Sequence, residues 1–85
     1  MKTFQYIITD PVGLHARPAG LLVKEAKKYE STITVIKEGK ACDATKLLML
    51  MSLSIKYGNE ITVEVSGPDE DTACVEIESF FKNNL

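Results

Sequence analysis

The sequence predicts a small α+β domain in which one sheet carries its helices on a single side. Two observations lead there. Several short segments alternate apolar and polar side chains, so each makes a strand with one buried face. The segments between them repeat apolar residues at helical spacing in one stripe, so each helix also has one face to bury. Such a sheet and such helices pair off as two layers around one core. The 85 residues leave room for a single domain, 1–85, and a chain of this size hides only roughly 60–65% of its unfolded surface.

The elements follow in order. Residues 2–9 alternate, with Phe4, Tyr6 and Ile8 on one side and Thr3, Gln5 and Thr9 on the other. Pro11-Val12-Gly13 ends that strand. A helix is predicted over about 16–28, its core stripe formed by Ala19, Leu22, Val23 and Ala26. Residues 32–37 alternate through Ile33 and Val35, Glu38-Gly39 turns, and 40–43 returns as the second arm of a hairpin. The run "LLMLMSLSI" over 47–55 is predicted helical, ending near Tyr57-Gly58-Asn59. Leu47, Leu50 and Leu53 are expected to face the core, with Met51 and Ile55 as further candidates, while Leu48 or Met49 must point outward. Ile61, Val63 and Val65 mark a fourth strand. After Gly67-Pro68, Asp69 stands ready to cap a last helix with Glu70 and Asp71 in its first turn. Ala73, Ile77, Phe80 and Phe81 supply its buried stripe. The order is βαββαβα.

Charge narrows the function. A formal net charge of −2 argues against general nucleic-acid binding. Its distribution is uneven: Arg17, Lys24, Lys27 and Lys28 face only Glu25 across residues 17–28, whereas residues 60–78 hold seven acids and no base. A basic face on a mildly acidic protein suits an acidic protein partner. Met1-Lys2 runs into an alternating strand rather than an apolar signal core, and no apolar run reaches membrane-spanning length. A cytoplasmic protein without membrane insertion is expected, and a monomer. Cys42 and Cys74 lack metal-ligand spacing and are expected to be small buried thiols in a reducing compartment.

The most informative stretch is "DPVGLHARPAG", residues 10–20, which contains the one histidine, His15. A lone histidine near a helix end is most often a cap or a solvated residue, and a nearby arginine is usually surface decoration. Here Gly13, His15, Arg17 and Pro18 meet at one strand-to-helix junction. The free N–H groups and positive end of a helix make an anion site, and proline in the first turn removes no needed donor. A second positive charge is disfavoured there, so the imidazole is expected to be neutral with a lone pair available. Such a ring can attack a phosphoryl group and hold it covalently. Arg17 supplies a planar cation able to pair with phosphate oxygens. No strong ligands stand near His15 to complete a metal site, and no cofactor is called for. On the exposed side of the first helix Leu21 lies among Arg17, Lys24 and Lys28, and the over-apolar 47–55 run reads as a docking patch or as an over-filled core.

"GLHARPAG", the basic helix behind it, the "EGK" hairpin, "LMSLSI" and "GPDEDTA" together resemble the histidine-containing phosphocarrier family, HPr, of the bacterial phosphoenolpyruvate-dependent sugar phosphotransferase system. The likeness spans essentially the whole chain. It implies an open-faced β-sandwich, a four-stranded antiparallel sheet with three helices on one face. It implies a carrier rather than an enzyme: His15 takes a phosphoryl group on Nδ1 from phosphorylated enzyme I and passes it to a sugar-specific enzyme IIA, with Arg17 steadying the group. The docking surface implied comprises Leu14, Gly20, Leu21, Lys24, Lys27, Leu47, Leu48 and Met51.

Three positions depart from the family pattern. Many Gram-positive members carry a regulatory serine, phosphorylated by an ATP-dependent kinase, just before the second helix; here "DATKLL" places Lys46 there. A lysine cannot accept that phosphate, so a carrier without the serine switch is expected, and the hydroxyl of Thr45 is free to cap the helix instead. Val12 stands where relatives often have a polar residue, and Ser54 where glycine is common. Two other readings stay open: a regulatory relative acting through protein binding, and a plain α+β ligand-binding domain in which His15 is incidental.

Overall fold

Seven elements follow one another in the order the sequence predicts. The computed structural model describes residues 1–85: β1 (Lys2–Ile7), α1 (Ala16–Ala26), β2 (Thr32–Lys37), β3 (Lys40–Asp43), α2 (Leu47–Ser52), β4 (Glu60–Ser66) and α3 (Glu70–Asn84). The strands lie in the order β1-β4-β2-β3, and every adjacent pair is antiparallel. Register places Phe4 opposite Val63, Val63 opposite Val35 and Val35 opposite Cys42, one apolar row across all four strands. Because side chains alternate faces, the neighbouring row of Gln5, Thr62, Ile36 and Ala41 points the other way, toward solvent. The result is the expected open-faced sandwich.

The apolar row is covered by the helical layer. On β1 and β4 lies α3, and α1 packs between α2 and α3. The stripe predicted for α1 is inside: Ala19, Leu22 and Ala26 are buried and Val23 packs against them. Phe81 anchors α3, its ring centroid 5.8 Å from that of Phe4 and 5.7 Å from that of Tyr6. Truncating such a buried phenylalanine typically costs about 3–5 kcal/mol, much of a small domain's stability. Cys42 is buried as expected but Cys74 only half so, and both are free thiols.

Several local expectations change. The second helix covers Leu47–Ser52 rather than 47–55, because Leu53 and Ser54 close on carbonyls three residues back and Ser54 turns left-handed at φ 53°. The shortening leaves Leu50, Leu53 and Ile55 in the core, while Leu47 and Met51 are exposed, and both Leu48 and Met49 point out. Asp69 does not cap α3 through its side chain. Its carboxylate instead accepts from the Glu30 and Ser31 N–H groups and the Ser31 hydroxyl, tying the α1–β2 loop to the start of α3. Those bonds, led by the Ser31 hydroxyl, hold the Asp69 carboxyl below its usual range. Nor does Thr45 cap α2: its hydroxyl and N–H both donate to Asp43 Oδ1, at 2.6 and 2.8 Å. Burial works against charge on Asp43, yet the Thr45 bonds outweigh it and keep that carboxyl low.

Candidate functional site

The loop from β1 to α1 is fastened at three points before it presents His15. At its start, the Thr9 and Asp10 N–H groups donate to the Leu85 oxygen at 2.6 and 2.8 Å. In the middle, Asp10 Oδ1 accepts from the Val12 N–H at 2.8 Å and the Asp10 carbonyl from the Gly13 N–H at 2.9 Å, a turn locked by one aspartate. At its end, the Leu14 N–H donates to the Ile55 carbonyl at 3.0 Å. Gly13 permits this approach twice over: its φ is +78°, and a Cβ there would stand 2.6 Å from the Ile55 oxygen.

His15 follows as the N-cap of α1, with extended backbone at φ −93° and ψ −178°. Its carbonyl accepts the Ala19 N–H at 2.9 Å. The imidazole makes no capping bond and is half-buried, so the ring is held at its base and free at its nitrogens. The Ala16 and Arg17 N–H groups have no acceptor within the chain, Pro18 has no N–H, and no acidic side chain lies in the first helical turn. Those unpaired donors and the helix dipole make this end attractive to an anion. His15, Arg17, Pro18 and Leu21 line one cleft of about 240 Å³ with Asp10 and Asn84, large enough for a phosphoryl group.

The first two helices expose apolar and basic residues. Leu21, Leu47, Leu48, Met49 and Met51 are exposed, Leu48 by 83%, where a folded core alone would have no use for them. Arg17, Lys24 and Lys27 form no ion pair, while Lys28 is engaged by Glu25 at 3.0 Å. Gly20 is half-buried and has no atom within 4 Å of where a Cβ would stand. Lys46 is exposed ahead of α2.

The family model described as "PTS HPr component phosphorylation site" matches residues 2–83. The chain belongs to the HPr family. A phosphocarrier protein HPr of Mycoplasma capricolum is 48% identical over 73 residues, covering 86% of this chain and 82% of that protein. A solved histidine-containing phosphocarrier protein of Mycoplasma superposes with a TM-score of 0.93 at 43% identity, covering 96% of this chain and 93% of that one. The catabolite repression HPr of Bacillus subtilis, Crh, described as a swapped, intertwined dimer, superposes at 0.78 with 32% identity, covering 100% of this chain and 98% of that one. As an HPr-family member the chain is a phosphoryl carrier of the phosphotransferase system and not an enzyme, and its interactions are with the proteins of that system.

Of the site residues expected from sequence, His15 and Arg17 share one cleft with Leu21, while Lys24 is exposed on α1, Lys27 just past its end, and Leu47, Leu48 and Met51 on α2. Leu14 is the exception. It is only 6% exposed and joins the core, with its N–H tied to the Ile55 carbonyl. Two nearby residues escaped sequence reasoning. Asp10 had a usable signal, the turn-forming "DPVG", and Asn84 arrives from the far end of the chain. No helix is long and apolar enough to cross a membrane.

Proposed function

We propose that His15 is the phosphoryl acceptor, taking the group from phosphorylated enzyme I and giving it to a sugar-specific enzyme IIA. The supporting observation is the cleft in which an imidazole with unbonded nitrogens adjoins Arg17 and two unpaired N–H groups at the start of α1. The Nδ1 lone pair forms the new bond to phosphorus as the donor's bond to phosphorus breaks, and no proton need leave the nucleophile if the ring carries its hydrogen on Nε2. In this reading the N–H groups and the Arg17 guanidinium stabilise the charge that gathers on the transferring oxygens.

Docking uses the surface of α1, its C-terminal cap and α2: Leu21, Leu47, Leu48 and Met51 as apolar contacts, Lys24 and Lys27 as cations, and the half-buried Gly20 as a point of close approach. Partners with an acidic rim and an apolar centre suit it. We infer further that the carrier works as a cytoplasmic monomer and lacks the serine switch, since Lys46 occupies the exposed regulatory position. The likeness to Crh keeps a regulatory binding role as the second reading; the intact His15 and Arg17 pair favours the carrier.

The test is phosphorylation with phosphoenolpyruvate and enzyme I, then separately with ATP and the serine kinase. The expected result is one acid-labile phosphate per chain, absent from His15→Ala, and no ATP-dependent label. Failure of the folded chain to take any label from enzyme I would overturn the relay role. An ATP-dependent label would overturn the loss of the switch.

A further inference from the structure

We propose that Lys37, on β2, is a positioning residue for phosphoryl transfer: its ammonium holds the C-terminal end of α2 and, through it, the loop that carries His15. The inference rests on His15 being the acceptor. Six residues make a helix that is marginal on its own. Its N-terminus has no side-chain cap and its last turn no basic residue, so its final carbonyls lack the cation that commonly settles a helix end. Lys37 supplies it from outside, its Nζ donating to the Leu53 carbonyl at 3.1 Å and the Ser54 carbonyl at 2.7 Å.

The next residue connects this contact to the site. The Ile55 carbonyl accepts the Leu14 N–H at 3.0 Å and lies where any Cβ on residue 13 would collide. Lys37 therefore bears on the residue that immediately precedes His15, and on the helix that exposes Leu47, Leu48 and Met51. Strand pairing gives no reason for a lysine here. Lys37 sits directly opposite Lys40 in the β2–β3 register, and like charges so placed are destabilising.

The same register offers the control. Lys37→Met and Lys40→Met remove the same charge from the same hairpin, but no hydrogen bond from Lys40 to the α2 end exists. With enzyme I as donor, at a temperature where far-UV circular dichroism shows every variant folded, Lys37→Met is expected to lower kcat/KM about fivefold, the scale of losing charge-assisted bonds that are part-exposed. Lys40→Met should stay within twofold of the wild type, as roughly expected of a surface change, and Lys37→Arg should restore most of the loss. Amide hydrogen exchange at Leu53, Ser54 and Leu14 should quicken in Lys37→Met alone. Equal kcat/KM for the two methionine variants would overturn the proposal, even with faster exchange, because Lys37 would then be a structural brace only. If the wild-type chain takes no phosphoryl group, the carrier reading fails instead, and unchanged exchange in Lys37→Met would show separately that the brace is absent.

Discussion

Replacing Gly13 with alanine should both destabilise the fold and slow phosphoryl transfer, by amounts that the geometry sets. The left-handed backbone at φ +78° costs an alanine about 1–2 kcal/mol. The new Cβ would stand 2.6 Å from the Ile55 oxygen and 2.7 Å from the Lys56 Cα. The two segments must part by roughly 0.8 Å or more to reach ordinary contact. That movement stretches the Leu14 N–H bond to Ile55, now 3.0 Å, at a further cost of about 1 kcal/mol. The total is about 2–3 kcal/mol, read as a lower urea midpoint, in a fold whose whole stability is of order 5–15 kcal/mol. The same shift reaches His15 two residues on. Since a misplacement of 1 Å can slow chemistry roughly hundredfold, and a separation shared by both segments moves His15 by about half that, transfer from enzyme I should slow roughly tenfold. Gly20→Ala is the control. Its methyl meets nothing within 4 Å and removes a glycine from a helix, so it should stabilise by about 0.5–1 kcal/mol. A Gly13→Ala protein with wild-type stability and wild-type transfer would refute the link between the Ile55 contact and the placement of His15.

Charge reversal of Lys24 and Lys27 to Glu should slow transfer from enzyme I, and wild-type transfer should weaken as salt rises; a rate indifferent to salt would remove electrostatic steering from the account. Asp69 sets an acid limit to stability. Its carboxyl titrates below the usual range because the Ser31 hydroxyl and then the Glu30 N–H bond its charged form. The stabilisation is therefore present above an unfolded value of about 3.9 and is lost as pH falls through the lower folded value. The Tm advantage of the wild type over Asp69→Asn should shrink steadily on acidification below about pH 4, and an advantage independent of pH would contradict it. Two leucines should separate stability from docking: Leu48→Ser ought to leave urea stability within about 0.5 kcal/mol while raising KM for enzyme I, whereas Leu14→Ala should cost about 2–5 kcal/mol.

The layers were legible because their signals are periodic. Alternation at Phe4, Tyr6 and Ile8 and the stripe of Ala19, Leu22 and Ala26 each marked a single buried face, and those faces meet in the structure. Less could be read where long-range contacts decide. Nothing local in "LLMLMSLSI" shows that Ser54 turns left-handed under the hold of Lys37, so the helix appeared three residues longer than its six. Asp69 and Thr45 both have the right chemistry for caps, yet Ser31 and Asp43 offered these side chains stronger partners. At the site, His15 and Arg17 stood out because their neighbours in the chain are also their neighbours in the cleft. Leu14 shared the motif but not the surface: it is buried, with its N–H tied to Ile55, distant in the chain. Asn84 could not be placed without knowing that the Leu85 oxygen binds Thr9 and Asp10.

The chain has one histidine, so one residue gives all the imidazole resonances in its nuclear magnetic resonance spectrum. Following those signals while catalytic enzyme I and phosphoenolpyruvate are added tests the central claim directly. The predicted result is a stoichiometric shift of that single ring, with phosphorus coupled to Nδ1, reversed when an enzyme IIA is supplied. A phosphorylated chain whose ring signals do not move would place the phosphoryl group elsewhere and contradict the assignment of His15.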